Sequence, residues 1–293
     1  MSALHQAGTH PTVKTGDAVG HLIRDADIEV IPLRGLDRKL AAVPAGTTIT
    51  LTCSSRLGLE RTMEYTELAA RAGYRVIPHL AARQVTDQAE LRRLIGRLGE
   101  IGITDLYVIG GDATTPAGRY SSALELLEDL AGIDHGIESI GVACYPEGHP
   151  SITDASLLEA LRRKAPLADY MVSQLCFNAA ALAGWLRKIR AVDIQLPLHI
   201  GLAAPLQIRK LAELSLRLGV GSSVRYLAKQ HGFLGHLLGG GAYEPEKFLH
   251  QMGRALESNE LRIERVHLFS FNQIDLTVDW QQRVAGQSPD RPA

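Results

Sequence analysis

The chain has 293 residues, with 31 Lys and Arg against 32 Asp and Glu, a formal net charge of -1. That balance argues against the basic footprint of a nucleic-acid protein and the polybasic face of a membrane-surface protein. At 45% hydrophobic and 22% charged residues the chain is too apolar for disorder, and with only 5% aromatics its core must be built from Ala, Leu, Ile and Val. No apolar run approaches the roughly 20 residues that span a bilayer. Residues 1–20 lack the apolar centre of a signal peptide and read as a flexible lead, as does the tail 286–293. Cys53, Cys144 and Cys176 are far apart and form no Cys-x-x-Cys pair. The expectation is a reduced cytoplasmic protein without disulfides or structural zinc.

In chain order, short runs rich in Val, Ile and Leu predict strands at Ile28–Pro32, Thr47–Cys53, Tyr74–Leu80, Asp105–Gly111, Ser139–Pro146, Tyr170–Phe177, Leu196–Ala203 and Val266–Asn272. Most are apolar almost throughout, as parallel strands covered on both faces are. Amphipathic stretches between them predict helices at Leu59–Ala72, Asp87–Ile101, Ser121–Leu130, Ala155–Leu167 and Ala179–Ile189. The first seven strand starts lie 19 to 34 residues apart, the pace of a repeated strand–helix unit. Eight such units predict a closed (β/α)8 TIM barrel as a single domain over about residues 28–280, with an open doubly wound sheet as the structural alternative. The last gap, 70 residues, is expected to hold helices near Leu206–Leu218 and Pro245–Glu257. Between those helices, Gly239-Gly240-Gly241 reads as a connector or a hinge.

In such a barrel the chemistry sits at the C-terminal strand ends. Glu29 lies in an apolar first strand, where burial is costly unless the carboxylate is paired or neutral; a solvated barrel end is the equal alternative. Thr52 ends the second strand and His79 the third, and a lone strand histidine is more often structural than catalytic. Gly110-Gly111-Asp112 closes the fourth strand, where glycines allow a ligand close to the backbone, though Gly-Asp is also an ordinary turn. The fifth strand runs into Cys-Tyr-Pro-Glu-Gly-His-Pro at 144–150, which brings Tyr145 and His149 into a loop fixed by two prolines. Gln174 sits in the apolar sixth strand, where its amide edge can read a heterocycle or bond to nearby backbone. The eleven histidines show no metal-ligand spacing, so no metal site is expected. No predicted strand carries a lysine for a Schiff base, and there is no Gly-x-Ser-x-Gly elbow, P-loop or dinucleotide fingerprint.

Taken together, the motif at 144–150, Pro-His-Leu at 78–80, Gly-Gly-Asp at 110–112, Ser-Gln-Leu-Cys-Phe at 173–177 and His-Leu-Phe-Ser-Phe-Asn at 267–272 resemble the methylenetetrahydrofolate reductases in order and spacing. The resemblance implies reduction of 5,10-methylenetetrahydrofolate to 5-methyltetrahydrofolate with NADH or NADPH, through bound FAD. It makes Glu29 the general acid that opens the substrate ring, Asp112 the carboxylate near pterin and flavin, and Gln174 the pterin-reading amide. Thr52, His79, Gly110, Gly111, Asp112, Tyr145, His149, Arg163 and Lys164 become cofactor contacts, the last two as cations for the diphosphate or else a solvated helix face.

The chain departs from the family pattern at Ile109-Gly110-Gly111-Asp112, where the family has Leu-Arg-Gly-Asp, and at Glu29-Val30-Ile31-Pro32-Leu33, where it has Glu-Phe-x-Pro-Pro. A flavin-free NADH-dependent reductase, another folate-dependent enzyme such as a methyltransferase, and a non-catalytic pterin- or flavin-binding barrel are the alternatives. The implied partner is a small-molecule substrate, with no nucleic acid or membrane, in a possible homo-oligomer.

Overall fold

Runs of Val, Ile and Leu too short for helices can bury both faces only when they pair side by side beneath a layer of helices. The computed structural model describes residues 15–207, 242–257 and 259–286, and in it eight such runs close into a parallel barrel. Its strands are β1 (Asp27–Val30), β2 (Thr48–Leu51), β3 (Arg75–Ala81), β4 (Asp105–Ile109), β5 (Ser139–Cys144), β6 (Tyr170–Ser173), β7 (Leu198–Ala203) and β10 (Ile263–Phe269). Around the barrel the order is β1-β10-β7-β6-β5-β4-β3-β2, with every pairing parallel. This is the predicted (β/α)8 architecture; five strands lie inside their expected runs, while β1 begins one residue earlier, β3 is shifted by one residue and β10 begins three residues earlier, at Ile263.

The outer layer contains α1 (Thr15–Arg24), α2 (Leu36–Leu40), α3 (Leu59–Arg71), α4 (Gln88–Glu100), α5 (Ala123–Leu130), α6 (Asp154–Lys164), α7 (Ala179–Ala191), α8 (Pro245–Met252), α9 (Arg254–Glu257) and α10 (Ile274–Gly286). Their starts follow from capping side chains. Asp87 accepts from Glu90 N, Ser122 and Glu125 form a capping box, and Thr153 and Asn178 cap α6 and α7.

Three expectations change. The chain is helical from Thr15, inside the stretch expected to be irregular, and Gln281 of α10 donates to the carbonyls of Ile23 and Arg24 at the end of α1, at 2.7 and 3.0 Å. Gly253, at φ +45°, divides the single helix expected at Pro245–Glu257 into α8 and α9. Leu206 and Gln207 form the short strand β8, antiparallel to β9 (Ala242–Tyr243), rather than starting a helix. The remainder of that predicted helix, Gly239–Gly241 and residues 1–14 and 287–293 lie outside the described residues.

Alternation along each strand separates two cores. Ile28, Ile49, Val76, Leu106, Val142 and Leu268 point outward into the large core beneath the helices. Their neighbours point inward, where Ile77, Tyr107, Tyr170 and Val172 form a separate cluster inside the tube. Below this, at the N-terminal strand ends, the interior is polar. Asp27 meets Arg265 at 3.2 Å and His199 at 3.4 Å, Arg75 meets Asp105 at 2.6 Å, and the Tyr170 ring stacks on His199 at 4.3 Å. Gly141 makes room for that ring, because a Cβ there would lie 2.4 Å from it.

The seam between β1 and β10 extends past the last ladder bond. Ser270 Oγ donates to Glu29 O at 2.5 Å. Asn272 accepts from Ile31 N at 2.7 Å and donates to Ile31 O at 2.8 Å, so its side-chain amide continues the sheet where the backbone turns away. Phe271 and Asn272 take φ of 48° and 58°, a conformation asparagine tolerates well.

Asn272→Ala strands both Ile31 groups and is expected to lower unfolding stability by about 2–3 kcal/mol, read from the urea midpoint. Burial holds the His199 imidazole below its ordinary value, with Asp27 opposing the shift. The unfolded chain therefore binds the extra proton first, and this group withdraws stability as pH falls below about 6.5. Urea melts at stepped pH are expected to show that His199→Gln flattens that loss by up to about 1.4 kcal/mol per pH unit.

Candidate active site

Glu29 is the inward-facing residue near the top of β1, and its side chain is only 12% exposed. A carboxylate so placed needs a partner, and β10 supplies it: Glu29 Oε2 lies 3.0 Å from His267 Nε2. His79, inward from β3, brings its Nε2 to 3.7 Å from the same oxygen, beyond hydrogen-bond reach. That buried nitrogen has no hydrogen-bond partner. The His79 ring stands edge-on to Tyr107 at 4.6 Å, and the His267 ring meets Phe269 at 4.9 Å. Burial, then the neighbouring His267, keeps His79 well below the usual histidine range. Burial likewise pushes the Tyr107 phenol well above its ordinary value. Gly201 lets β7 pass this group, since a Cβ would come within 2.8 Å of the Phe269 ring.

The loops above are tied to one another. Asp112 is exposed after β4 and accepts from Ser55 N at 2.7 Å, which couples it to the loop after β2. Gly111 has φ +88°, and a Cβ would meet that of Ala81 at 3.0 Å, so glycine is needed there. Gly110 accepts at its carbonyl from Arg83 N, and the Arg83 guanidinium donates to the carbonyls of Ala113, Thr114 and Ser121. Thr52 N continues the β2 ladder to Val30 O, while its hydroxyl is buried with no hydrogen-bond partner. The Tyr145 and His149 rings meet edge to face at 5.2 Å across a turn closed by Gly148 N donating to Tyr145 O. Glu147 between them accepts at Oε1 from Phe177 N and Asn178 N, both at 2.8 Å. Gln174 hangs from Cys144 O, and its own Oε1 accepts from Leu175 N.

The structure thus brings Glu29 and His79 together inside the tube and sets Thr52, Gly110, Gly111, Asp112, Tyr145, His149 and Gln174 on the strand ends and loops above. Arg163 and Lys164 are both engaged within the protein and are not free cations for a diphosphate. Lys164 is buried, donates from Nζ to Ala143 O at 2.9 Å, and is pulled down to about 8 by desolvation. Arg163 faces α5, 3.4 Å from Glu128. His267 and Tyr107 were missed as site residues. The signal for them was alternation: Arg265, His267 and Phe269 share one face of a strand whose other face is Val266 and Leu268. Arg163→Ala is expected to remove only a surface pair and to shift unfolding stability by no more than about 1 kcal/mol, read from the urea midpoint.

Comparisons with known proteins agree with this geometry. The chain is similar over more than nine-tenths of its length to solved structures. One is 2,3-dimethylmalate lyase of the PEP mutase/isocitrate lyase superfamily, at 11% identity over 93% of this chain and 86% of that one, with a TM-score of 0.50. Another is oxaloacetate acetylhydrolase in complex with 3,3-difluorooxalacetate, at 12% identity over 95% and 89%, with a TM-score of 0.49. The first likeness concerns the fold alone, and the second adds nothing to it. Residues 31–218, more than half of the chain, match the family model of methylenetetrahydrofolate reductase. An eight-stranded parallel barrel whose strands β2 to β7 lie within that match identifies the chain as a member of the methylenetetrahydrofolate reductase family.

Proposed function

We propose that the chain reduces 5,10-methylenetetrahydrofolate to 5-methyltetrahydrofolate, with a reduced nicotinamide as hydride source. The observation that carries this reading is Glu29: a carboxyl group inside the barrel, hydrogen-bonded to His267, with its side chain 12% exposed. Protonated Glu29 gives its proton to N10 of the substrate as the five-membered ring opens. The exocyclic carbon is left as an iminium on N5, and hydride addition to that carbon yields the methyl group. His267 fixes the orientation of the carboxyl group through Nε2. Asp112 supplies negative charge at the mouth, which favours the cationic intermediate. Gln174 has its Oε1 engaged by Leu175 N, so its amide hydrogens remain to read the pterin.

FAD held as the family resemblance implies does not fit the described residues. The two cations expected at its diphosphate are directed to Ala143 O and Glu128, and Gly110 stands where the family carries an arginine. The flavin-free alternative, direct transfer from nicotinamide to folate, is therefore favoured. The buried, unpartnered Thr52 hydroxyl and the Tyr145–His149 pair suit contact with a flat heterocycle in either case.

Purified protein is expected to be colourless and to convert methylenetetrahydrofolate to methyltetrahydrofolate with NADH or NADPH alone. Glu29→Gln is expected to lower kcat at least about 100-fold, as loss of a general acid does. A yellow protein whose flavin is reduced by nicotinamide would reinstate the flavin route. Absence of methyltetrahydrofolate among the products would overturn the reductase reading.

A further inference from the structure

Glu29, His79 and His267 come from β1, β3 and β10, and their ligand atoms all lie within 4.8 Å of one another. The two separations to Glu29 Oε2 are 3.0 and 3.7 Å. Ligand atoms around a tetrahedral zinc ion, with bonds of 2.0–2.1 Å, lie about 3.3–3.5 Å apart. The two separations from Glu29 Oε2 bracket that spacing, and the two imidazole nitrogens lie within 4.8 Å of each other. His79 Nε2 is the second observation: it is buried with no hydrogen-bond partner, 3.7 Å from the carboxylate oxygen that would share the ion. Burial of such a nitrogen without a partner is costly, and a metal would remove the cost.

We propose that Glu29, His79 and His267 form an intra-barrel site for one divalent first-row transition ion, of which zinc is the best fit. Two imidazoles and a carboxylate select such an ion over magnesium or calcium, which take all-oxygen shells. Three protein ligands leave a fourth position for water. Binding displaces the proton shared by His267 Nε2 and Glu29 Oε2 to solvent, since a ligating imidazole nitrogen must be unprotonated. The cysteines do not compete: Cys53, Cys144 and Cys176 are buried, and burial pushes the first two thiols up to about 11 and about 12 and the third well above its usual range. An ion at this site engages the group that donates the proton, so occupancy turns the reduction off. This last step, unlike the binding itself, rests on the reading of Glu29 as the general acid.

Calorimetric titration of the full chain with zinc chloride is expected to give one ion per molecule. His79→Ala and His267→Ala are each expected to weaken binding at least about tenfold, and the exposed His250→Ala to leave it unchanged. Circular dichroism and the more conservative His79→Gln separate loss of ligand from loss of fold. Cobalt is expected to give tetrahedral d–d bands without thiolate charge transfer. The proposal is overturned if wild-type protein takes up no zinc, if zinc binding survives both histidine replacements, or if cobalt shows thiolate bands. Zinc inhibition reversed by chelator supports the site. Stoichiometric binding in a protein that makes no methyltetrahydrofolate leaves the site standing and removes the reductase reading. Turnover without zinc uptake does the reverse.

Discussion

A carboxylate cannot sit inside a tube of apolar strands unless something compensates its lost hydration, and here the compensation comes from the last strand of the barrel. Glu29 is gripped twice by β10 and its extension: the side chain by His267 Nε2 and the carbonyl by Ser270 Oγ. The seam that closes the sheet is also the contact that orients the proposed acid. Asn272 extends the same seam by two more bonds to Ile31, so the backbone of β1 has little freedom around the residue that matters. Closure of the barrel and preparation of the site are one event.

Strand number, strand spacing and helix positions were legible because each rests on local pattern. Apolar runs of strand length, turn residues between them and capping side chains such as Asp87 and Ser122 point the same way. The interior of the tube was less legible. With both faces buried, the strands read as apolar throughout, and the alternation that places Tyr107 and His267 inward was submerged in that reading. Glu29 stood out only because a carboxylate there is rare. Its partner is 238 residues away, a pairing no local pattern encodes. Lys164 shows the opposite error. A cation near the end of a helix reads as solvated, yet its long stem lets it turn back under the helix to a strand carbonyl.

The loops at the mouth are tied to one another by side chains bonded to neighbouring backbone. Arg83 spans from the loop after β3 to three carbonyls of the loop after β4. Asp112 reaches the loop after β2, and Glu147 ties the loop after β5 to that after β6. Two of these connections join consecutive strand–helix units and the third passes over the unit of β3, so the rim is a linked collar and not a set of independent flaps. A substitution in one loop is felt in the next through these bonds.

The β1–β10 seam also has a temporal meaning. A chain emerging from the ribosome delivers β1 early and β10 late, and every contact from β10 to Glu29 waits on that delivery. Until then the carboxylate has no partner and β1 has an open edge, a state favouring transient help or delayed compaction over stepwise consolidation. The contacts that orient Glu29 thus cannot exist before β10 has been delivered, and the proposed site waits on closure of the ring.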